Sequence, residues 1–482
     1  LSRYKDNPYK QELIEEFASN DEKLSFYKSG NYEDLCKGGH VQSAKEINPD
    51  AFKLTHVAGA YWRGDENNTM LTRIYGVAFE TGRQLNDYLQ RAEEAKKRDH
   101  KKIGPELDLF TFSELVGGGL PLWTPKGQLM RSILDEYVWE LRKKRGYVKV
   151  DIPYITKKDL FVTSGHWDKF KDELFKIETR EGHLFALKPM NCPFHAQIFA
   201  RRLHSYREMP QRFANTTQMY RDEQTGELAG LSRVRAITID DAHVFCRFSQ
   251  VNEEAEKIWD IIHEFYGSFG FKPSVRLSLH DPDNMNAYLG TEEIWQNAES
   301  QLRDLVKSKK VGFAEAKGEA AFYGPKIDFI ANDSLGRQWQ IATIQLDMNM
   351  PKRFGLHCIN EKGEKEEIAM LHAAIMGSLE RFMSILIEHF AGAFPLWLSP
   401  VQVAVLPIAD KHVDKAKEIM SELQDTGLRV EIDDANDTIG KKIREAELQK
   451  IPYLVIIGDK EVESGKVAVR KRGKGDIGQI DL

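Results

Sequence analysis

Cys192 sits in KPMNCPFH with no second cysteine at a metal-ligand spacing; the other three, Cys36, Cys246 and Cys358, are scattered through 482 residues. Three histidines could stand with it: His243 in DDAHVF, His372 in MLHAAIM and His166 in SGHWDKF. A thiolate and two imidazoles with the fourth position open is how a catalytic zinc is held. Yet His243 lies 51 residues beyond Cys192, and His372 a further 129, which matches no compact metal signature. Spacing alone leaves Cys192 as a ligand, a nucleophile or a small buried side chain. Cys36 and His40, four apart in YEDLCKGGH, could share a metal or form a thiol–imidazole pair, but no HxxxH occurs anywhere in the chain to accompany them.

The arginines carry a second signal. Arg221 precedes Glu223 by two residues in MYRDE, and Arg233 and Arg235 are similarly spaced in RVRAITI. On extended strands each pair would share a face, and like charges side by side are costly unless an anion lies there. Arg381 in GSLERF could add another guanidinium, whose planar fork suits phosphoryl oxygens. No P-loop or GxGxxG occurs, so a nucleotide would be held by neither of those geometries.

These residues need a scaffold of two to four domains, given the usual ~100–200 residues per domain. A net charge of −6 excludes a polycation, so any nucleic-acid binding must come from local patches. No apolar run approaches the ~20 residues of a membrane span. Scattered cysteines argue against a disulfide framework and for a reducing compartment. The chain starts at Leu1 without a signal-peptide pattern and reads as part of something longer.

Residues 89–103, LQRAEEAKKRDHKKI, read as a charged linker helix. The segment from 125 predicts an amphipathic helix with Leu129, Ile133, Tyr137 and Leu141 on one face, stopped at Gly146. YVKVDIPYI predicts a strand containing Pro153, hence an edge, an end or an interface. Residues 185–350 are rich in strand-like runs with helices near 250–270 and 291–308, implying a mostly antiparallel α+β domain. A long helix is expected over 368–391. Beyond Pro395 and Pro400 the β-α-β-α-β order, closed by a last strand KVAVRKR, predicts a small α/β domain with a largely parallel sheet.

Taken in order, LTHVAGAYWRGD, RDHKKIGPELDLF, GHWDKFKDELF, KPMNCPFH, YRDE with GLSRVR, DDAHVF, AFYGPKIDF, GSLERF and GDKEVESGKVAVR resemble the threonyl-tRNA synthetase family over essentially the whole chain. The resemblance implies an α+β fold: a class II antiparallel sheet flanked by helices, a small α/β anticodon-binding domain after it and a partial α/β editing domain before it. The expected boundaries are 1–88 for the C-terminal part of the editing domain, 89–103 for the linker helix, 104–396 for the catalytic domain and 397–482 for the anticodon-binding domain. The region around Pro153 resembles motif 1 and implies a homodimer. Arg221, Glu223 and Arg233 resemble motif 2, and Arg381 the motif 3 arginine.

The resemblance also implies that Cys192, His243 and His372 hold one Zn²⁺ per subunit, which would take the amino group and hydroxyl of L-threonine, with Asp241 receiving that hydroxyl. Valine has no hydroxyl to coordinate, and a site built for one rejects the analogue lacking it. Lys326, Tyr323, Gln340, Gln345 and Ser378 resemble residues around the threonine and ATP pocket, with Mg²⁺ accompanying ATP. His166 resembles the residue that helps deprotonate the ribose hydroxyl at the end of tRNA(Thr). Asn436, Glu461 and Arg470 resemble anticodon readers, and Lys10, Asp34, Cys36 and His40 an editing remnant. The chain is expected to charge tRNA but not to clear seryl-tRNA. Cytoplasm is the expected location, with mitochondria left open, and no membrane partner is expected. Two departures, Ile239 where the family usually has Gln and Ile341 in QIAT where it often reads QCGT, adjoin the amino-acid pocket. A silent tRNA-binding paralogue and a zinc hydrolase are the alternatives. The first would be favoured by loss of Arg221, Arg381 or one of Cys192, His243 and His372; the second explains none of the arginines.

Overall fold

The structure, a computed structural model, describes residues 2–481 apart from 21, 22, 37 and 66; Leu1 and Leu482, outer ends of the first and last expected domains, and Lys37 in YEDLCKGGH lie outside the described residues. The chain divides into two compact units, 1–93 and 94–482, and the division falls within the stretch expected to be a linker helix. That stretch is two helices, Gly82–Arg98 and His100–Glu106, broken at Asp99, whose side chain accepts from the Lys101 N–H and starts the second.

The first unit holds the helix Pro8–Ser19, a short hairpin of Phe26–Ser29 with Tyr32–Leu35, and a long antiparallel ribbon of Phe52–Tyr61 with Met70–Ala78. Lys10 forms an ion pair with Asp34. Cys36 Sγ lies 2.7 Å from His40 Nε2, and the Tyr27 ring stacks on His40 at 3.6 Å. The four expected editing residues thus form two contacting pairs. Among the described residues of the ribbon, Leu54, Val57, Met70 and Ile74 are all exposed.

The second unit is built on a ten-stranded sheet. Ser274–Leu279, Lys326–Asn332, Gln338–Asp347, Lys365–Ser378, Ala236–Arg247 and Gln211–Tyr220 run antiparallel in that order. Phe313–Lys317 and Val148–Lys149 add parallel edges. Helix Val251–Gly267 covers one face with Ile258, Ile262, Phe265 and Tyr266, all fully buried. The Tyr266 hydroxyl lies 2.8 Å from the carbonyl oxygens of both Ile341 and Ile375, tying this helix to two neighbouring strands.

Three local expectations are corrected here. Residues 368–391 are not one helix: His372 lies on the strand Lys365–Ser378, and the helix is Leu379–Phe390. The run IAMLHAAIM is buried on both faces of a central strand, and such a run has no period that separates strand from helix. Gly377 at φ +65° and the Ser378 cap make the switch. YVKVDIPYI is likewise not one strand. Val148–Lys149 joins the main sheet, while Ile155–Lys157 joins a separate three-stranded sheet, because Pro153 between them cannot donate to a ladder. Finally, the buried face of helix Pro125–Lys143 runs through Met130, Leu134 and Val138, one residue off the expected stripe, and rejoins it at Leu141, while Leu129 is exposed.

Past Pro400, Val430–Ile432, Val403–Pro407 and Tyr453–Ile457 are parallel, and Val467–Lys471 and Gly475–Ile480 complete the sheet antiparallel. Helix Val413–Asp425 packs on one side and Ile439–Leu448 on the other, each with its own apolar cluster. The strand Gly475–Ile480 was not expected. Arg429 donates to the Trp397 and Ser399 carbonyls (2.7 and 2.9 Å) and Arg472 to those of Ala393 and Phe394 (3.1 and 2.5 Å), so the proline-marked connection is clamped by guanidinium groups.

Candidate active site

The ladder explains how distant residues meet. His243 and His372 are direct partners on adjacent antiparallel strands, so both imidazoles stand on one face. Helix Cys192–Ala200 lays its first residue against that face. His243 Nε2 and His372 Nδ1 are 3.0 Å apart, and one donor atom from each of Cys192, His243 and His372 lies within 4.8 Å of the others. All three are buried. Burial pushes the Cys192 thiol well above its ordinary value and the His243 imidazole well below. A thiolate there needs a cation beside it, so the donor set fits a zinc-type site.

His372 opens onto a cavity of about 470 Å³, which Asp241 and Ile239 also line. The period of two on this strand splits the acid pair. Asp241 faces the cavity and accepts from Asn191 Nδ2 at 3.1 Å. Asp240 turns to the other side, fully buried, where it accepts from the Ile375 and Met376 N–H groups (3.0 Å each) and from Arg142 (3.3 Å). Tyr323 stacks on His372 (centroids 4.8 Å) and its hydroxyl donates to Gln345. Gln345, Ser378 and Ile341 are at the cavity wall as well.

The arginines sit beyond their expected strands. The strand Gln211–Tyr220 ends before Arg221, and Ala236–Arg247 begins after Arg235; the two arms stay paired through Arg221 N–H donating to the Arg235 carbonyl at 3.0 Å. A shared strand face therefore does not organise these charges. Arg233 is held by Glu223 (2.6 Å) and Arg235 by the Gly118 carbonyl (3.1 Å). Arg221 lies over the Phe170 ring at 5.1 Å, and its nearest carboxylate, Glu173, is 4.0 Å away. Arg381 donates to the Ser232 carbonyl. Surrounding protein, then the like charges of Arg221 and Arg233, push its guanidinium down. Arg221, with Glu173 at 4.0 Å, and Arg381, with no ion-pair partner among the described residues, line the cavity, an arrangement suited to an anion.

Two expected residues lie off the cavity wall. His166 is fully buried, its Nδ1 2.8 Å from Ser164 Oγ and its Nε2 3.6 Å from Cys192 Sγ. Lys326 pairs with Asp328 at 3.2 Å. Asp328 escaped the sequence reading: fully buried, it also accepts from Ser278 (2.7 Å), Gln340 (2.7 Å) and Thr343 (3.2 Å). Its signal was present in KIDF, where Lys326 and Asp328 alternate with apolar neighbours. A second metal-like cluster, Asp99, His100 and Glu388, is structural. His100 Nδ1 is 2.6 Å from Glu388 and its Nε2 accepts from the Leu231 N–H, so both ring nitrogens are committed.

In the last domain Asn436 is exposed in the loop before the Thr438 cap. Glu461 is buried, accepting from Gly458 N–H (3.0 Å) and Gln479 (2.6 Å). Arg470 lines a second cavity of about 390 Å³ with Lys471 and Arg472.

The six-stranded antiparallel core, with arginines at its loops and helix start, defines a class II aminoacyl-tRNA synthetase. Residues 175–390 match the class II core domain of the G, H, P, S and T tRNA synthetases, 402–482 the anticodon binding domain, and 24–75 the threonyl and alanyl tRNA synthetase second additional domain. The chain is 50% identical to the threonine–tRNA ligase of Gloeobacter violaceus over 478 residues, covering 97% of this chain and 76% of that protein. It is 50% identical to that of Rubrobacter xylanophilus, covering 98% and 73%. Among solved structures, the RNA binding domain of threonyl-tRNA synthetase from Cryptosporidium parvum superposes with a TM-score of 0.74 at 38% identity, over 78% of this chain and 93% of that one. A putative threonyl-tRNA synthetase from Aeropyrum pernix gives 0.70 at 30%, over 80% and 91%. The chain belongs to the threonyl-tRNA synthetase family, enzymes that aminoacylate tRNA. Among the described residues no helix is long and apolar enough to cross a membrane.

Proposed function

We propose that this chain activates L-threonine with ATP, forming threonyl-adenylate, and esterifies the 3′ end of tRNA(Thr), with a Zn²⁺ held by Cys192, His243 and His372. The observation that carries the reading is the buried Cys/His/His set whose His372 shares a cavity with Asp241 and two arginines. When bound, the cation supplies a Lewis-acid contact for the amino nitrogen and hydroxyl oxygen of threonine, a contact valine cannot complete. Asp241, fixed by Asn191, accepts the substrate hydroxyl proton. Arg221 and Arg381 hold the α-phosphate, with Mg²⁺ on the ATP, and neutralise charge as the threonine carboxylate displaces pyrophosphate in line. Tyr323 and Gln345, hydrogen-bonded to each other, orient the amino acid, with Gln340 and Ser378 at the cavity wall. Glu223 and Arg233, on the wall of the same cavity, contribute to ATP binding. Ile239 and Ile341 present apolar surface to the same cavity, so the substrate carboxylate is left to the guanidinium groups.

The transfer step assigns His166 to the ribose hydroxyl and requires its ring to turn from the buried position. Asn436, Glu461 and Arg470 meet the anticodon, which for Glu461 means exchanging its internal partners. The active form is a homodimer through the region around Pro153, which is exposed in the single chain. Residues 1–88 act as the C-terminal part of an editing domain, with Lys10, Asp34, Cys36 and His40 as its polar groups. Purified protein tested for amino-acid-dependent ATP–pyrophosphate exchange decides the reading. Exchange with threonine and not valine is expected; no exchange with threonine overturns it.

A further inference from the structure

The two histidines that face the metal position are backed differently. His372 turns its Nε2 to Asp347 Oδ2 at 3.1 Å. That carboxylate is itself fixed, its other oxygen accepting from the Asn349 and Met350 N–H groups at 2.8 Å each. His243 turns its Nδ1 not to a carboxylate but to Nδ1 of another histidine, His195, at 2.8 Å. His195 is fully buried, stands edge-on to the His243 ring, and its remaining nitrogen, Nε2, has no partner. It lies three residues after Cys192 on the helix Cys192–Ala200, so one helix face carries both the thiol and this imidazole.

We propose, on the basis of the metal reading above, that His195 is a positioning residue of the metal centre, accepting the Nδ1 proton of His243 and so fixing His243 Nε2 as the donor to the cation. Two ring nitrogens 2.8 Å apart can be joined only if one carries a proton and the other a lone pair. Coordination through His243 Nε2 places the proton on its Nδ1, so His195 Nδ1 must be the acceptor and its proton resides on the unpartnered Nε2. The charge arithmetic gives the arrangement a purpose. A thiolate, the Asp347 carboxylate behind His372 and the Asp241 carboxylate, 3.8 Å from His243 Nε2, already supply negative charge around the cation position. A second carboxylate behind His243 would weaken the cation's pull on a neutral hydroxyl, whereas an imidazole orients the ligand and adds no charge.

The test uses His195→Asn, whose Oδ1 falls where Nδ1 was, and His195→Gln, whose amide falls where Nε2 was, beside His195→Leu and Cys192→Ala. Zn²⁺ affinity is read by chelator competition, and geometry by the visible spectrum after substitution with Co²⁺. His195→Leu and His195→Gln should bind Zn²⁺ about 10–100-fold more weakly, with the thiolate-to-cobalt band kept and the ligand-field bands shifted. His195→Asn should return affinity to within about 3-fold of the starting protein, the acceptor having been restored. If His195→Leu fails to fold, the contrast between Asn and Gln decides. Equal affinities for these two, or a His195→Leu cobalt spectrum identical to that of the starting protein, overturn the proposal. Absence of metal from the unsubstituted protein would instead remove the metal reading itself, and Cys192→Ala, expected to lose the thiolate band, separates the two failures.

Discussion

His243 and His372 face each other across two antiparallel strands with their ring nitrogens 3.0 Å apart, and the fully buried Cys192 completes the cluster from a helix end. Removing one member should cost selectivity more than fold. Cys192→Ala is expected to retain its unfolding midpoint within about 2 kcal/mol, the cost of a small buried side chain. Its discrimination of threonine from valine should collapse from the about 10⁴–10⁵ that hydroxyl-specific sites reach. Pyrophosphate exchange with both amino acids measures it; unchanged discrimination in Cys192→Ala would contradict the role.

Arg381 differs from Arg233 in lacking a close carboxylate, and that difference predicts different consequences. Arg381→Ala should lower kcat for exchange by about 10²–10³, the range for removing one preorganised charge from a developing anion, and should raise threonine KM as well, since the guanidinium groups also hold the substrate carboxylate. Arg233→Ala, which frees Glu223, should act mainly on ATP KM. Steady-state kinetics with each substrate varied separates the two patterns.

How much of this was legible beforehand follows from the periods involved. The C-terminal α/β order was readable because its helices and strands alternate in pattern and are punctuated by Gly427 and the prolines. His372 was placed on a helix because a strand buried on both faces shows no alternation. Arg221 and Arg235 were placed on strands because charge does not reveal where a ladder ends. The set of Cys192, His243 and His372 could not be read from spacing, since strand pairing joins residues 129 apart in sequence; the family resemblance implied it, and the ladder brings its two histidines together. Asp328 and His195 were missed for a common reason: their partners come from elements distant in sequence.

The pair Arg212–Glu254 joins strand Gln211–Tyr220 to helix Val251–Gly267, and it makes stability depend on pH. Burial alone would raise the Glu254 carboxyl, but hydrogen bonds from Arg212 (2.8 Å) and Lys257 (2.7 Å) outweigh it and hold it below its ordinary 4.5. A depressed carboxylate means the unfolded chain binds the proton first. The stabilisation is therefore complete above 4.5 and lost as pH falls through the lower folded value. Glu254→Gln should be less stable than the starting protein near pH 7, with the difference shrinking below 4.5. Urea midpoints across that range check the sign, and a difference that grows on acidification would contradict it.

Tyr266 offers one hydroxyl to two carbonyls, those of Ile341 and Ile375, on neighbouring strands of the cavity wall. Tyr266→Phe keeps the ring among Phe265, Phe271 and Phe382 but leaves a buried acceptor unpaired. The expected cost is about 1–3 kcal/mol in the urea midpoint. Because Ile341 lines the same cavity as His372 and Asp241, the proposed amino-acid pocket predicts that threonine KM should rise while ATP KM does not. Equal changes in both would show that the hydroxyl acts on global stability alone.

Asp328 accepts from Ser278, Gln340 and Thr343 and lies beside Lys326 and Arg276 (3.2 and 3.3 Å), so one buried carboxylate balances two cations while orienting a cavity residue. Asp328→Asn preserves shape and removes the charge. The cost of stripping a partner from a buried pair is about 3–5 kcal/mol, and the value here should fall at the low end because Lys326 and Arg276 keep some contact with solvent. Gln340 would also lose its charged acceptor, raising KM for threonine or ATP. The double variant Asp328→Asn with Lys326→Met should recover part of the stability, since the second change removes the cation the first one stranded. If instead the two losses add in the urea midpoints, Lys326 is held by something other than Asp328.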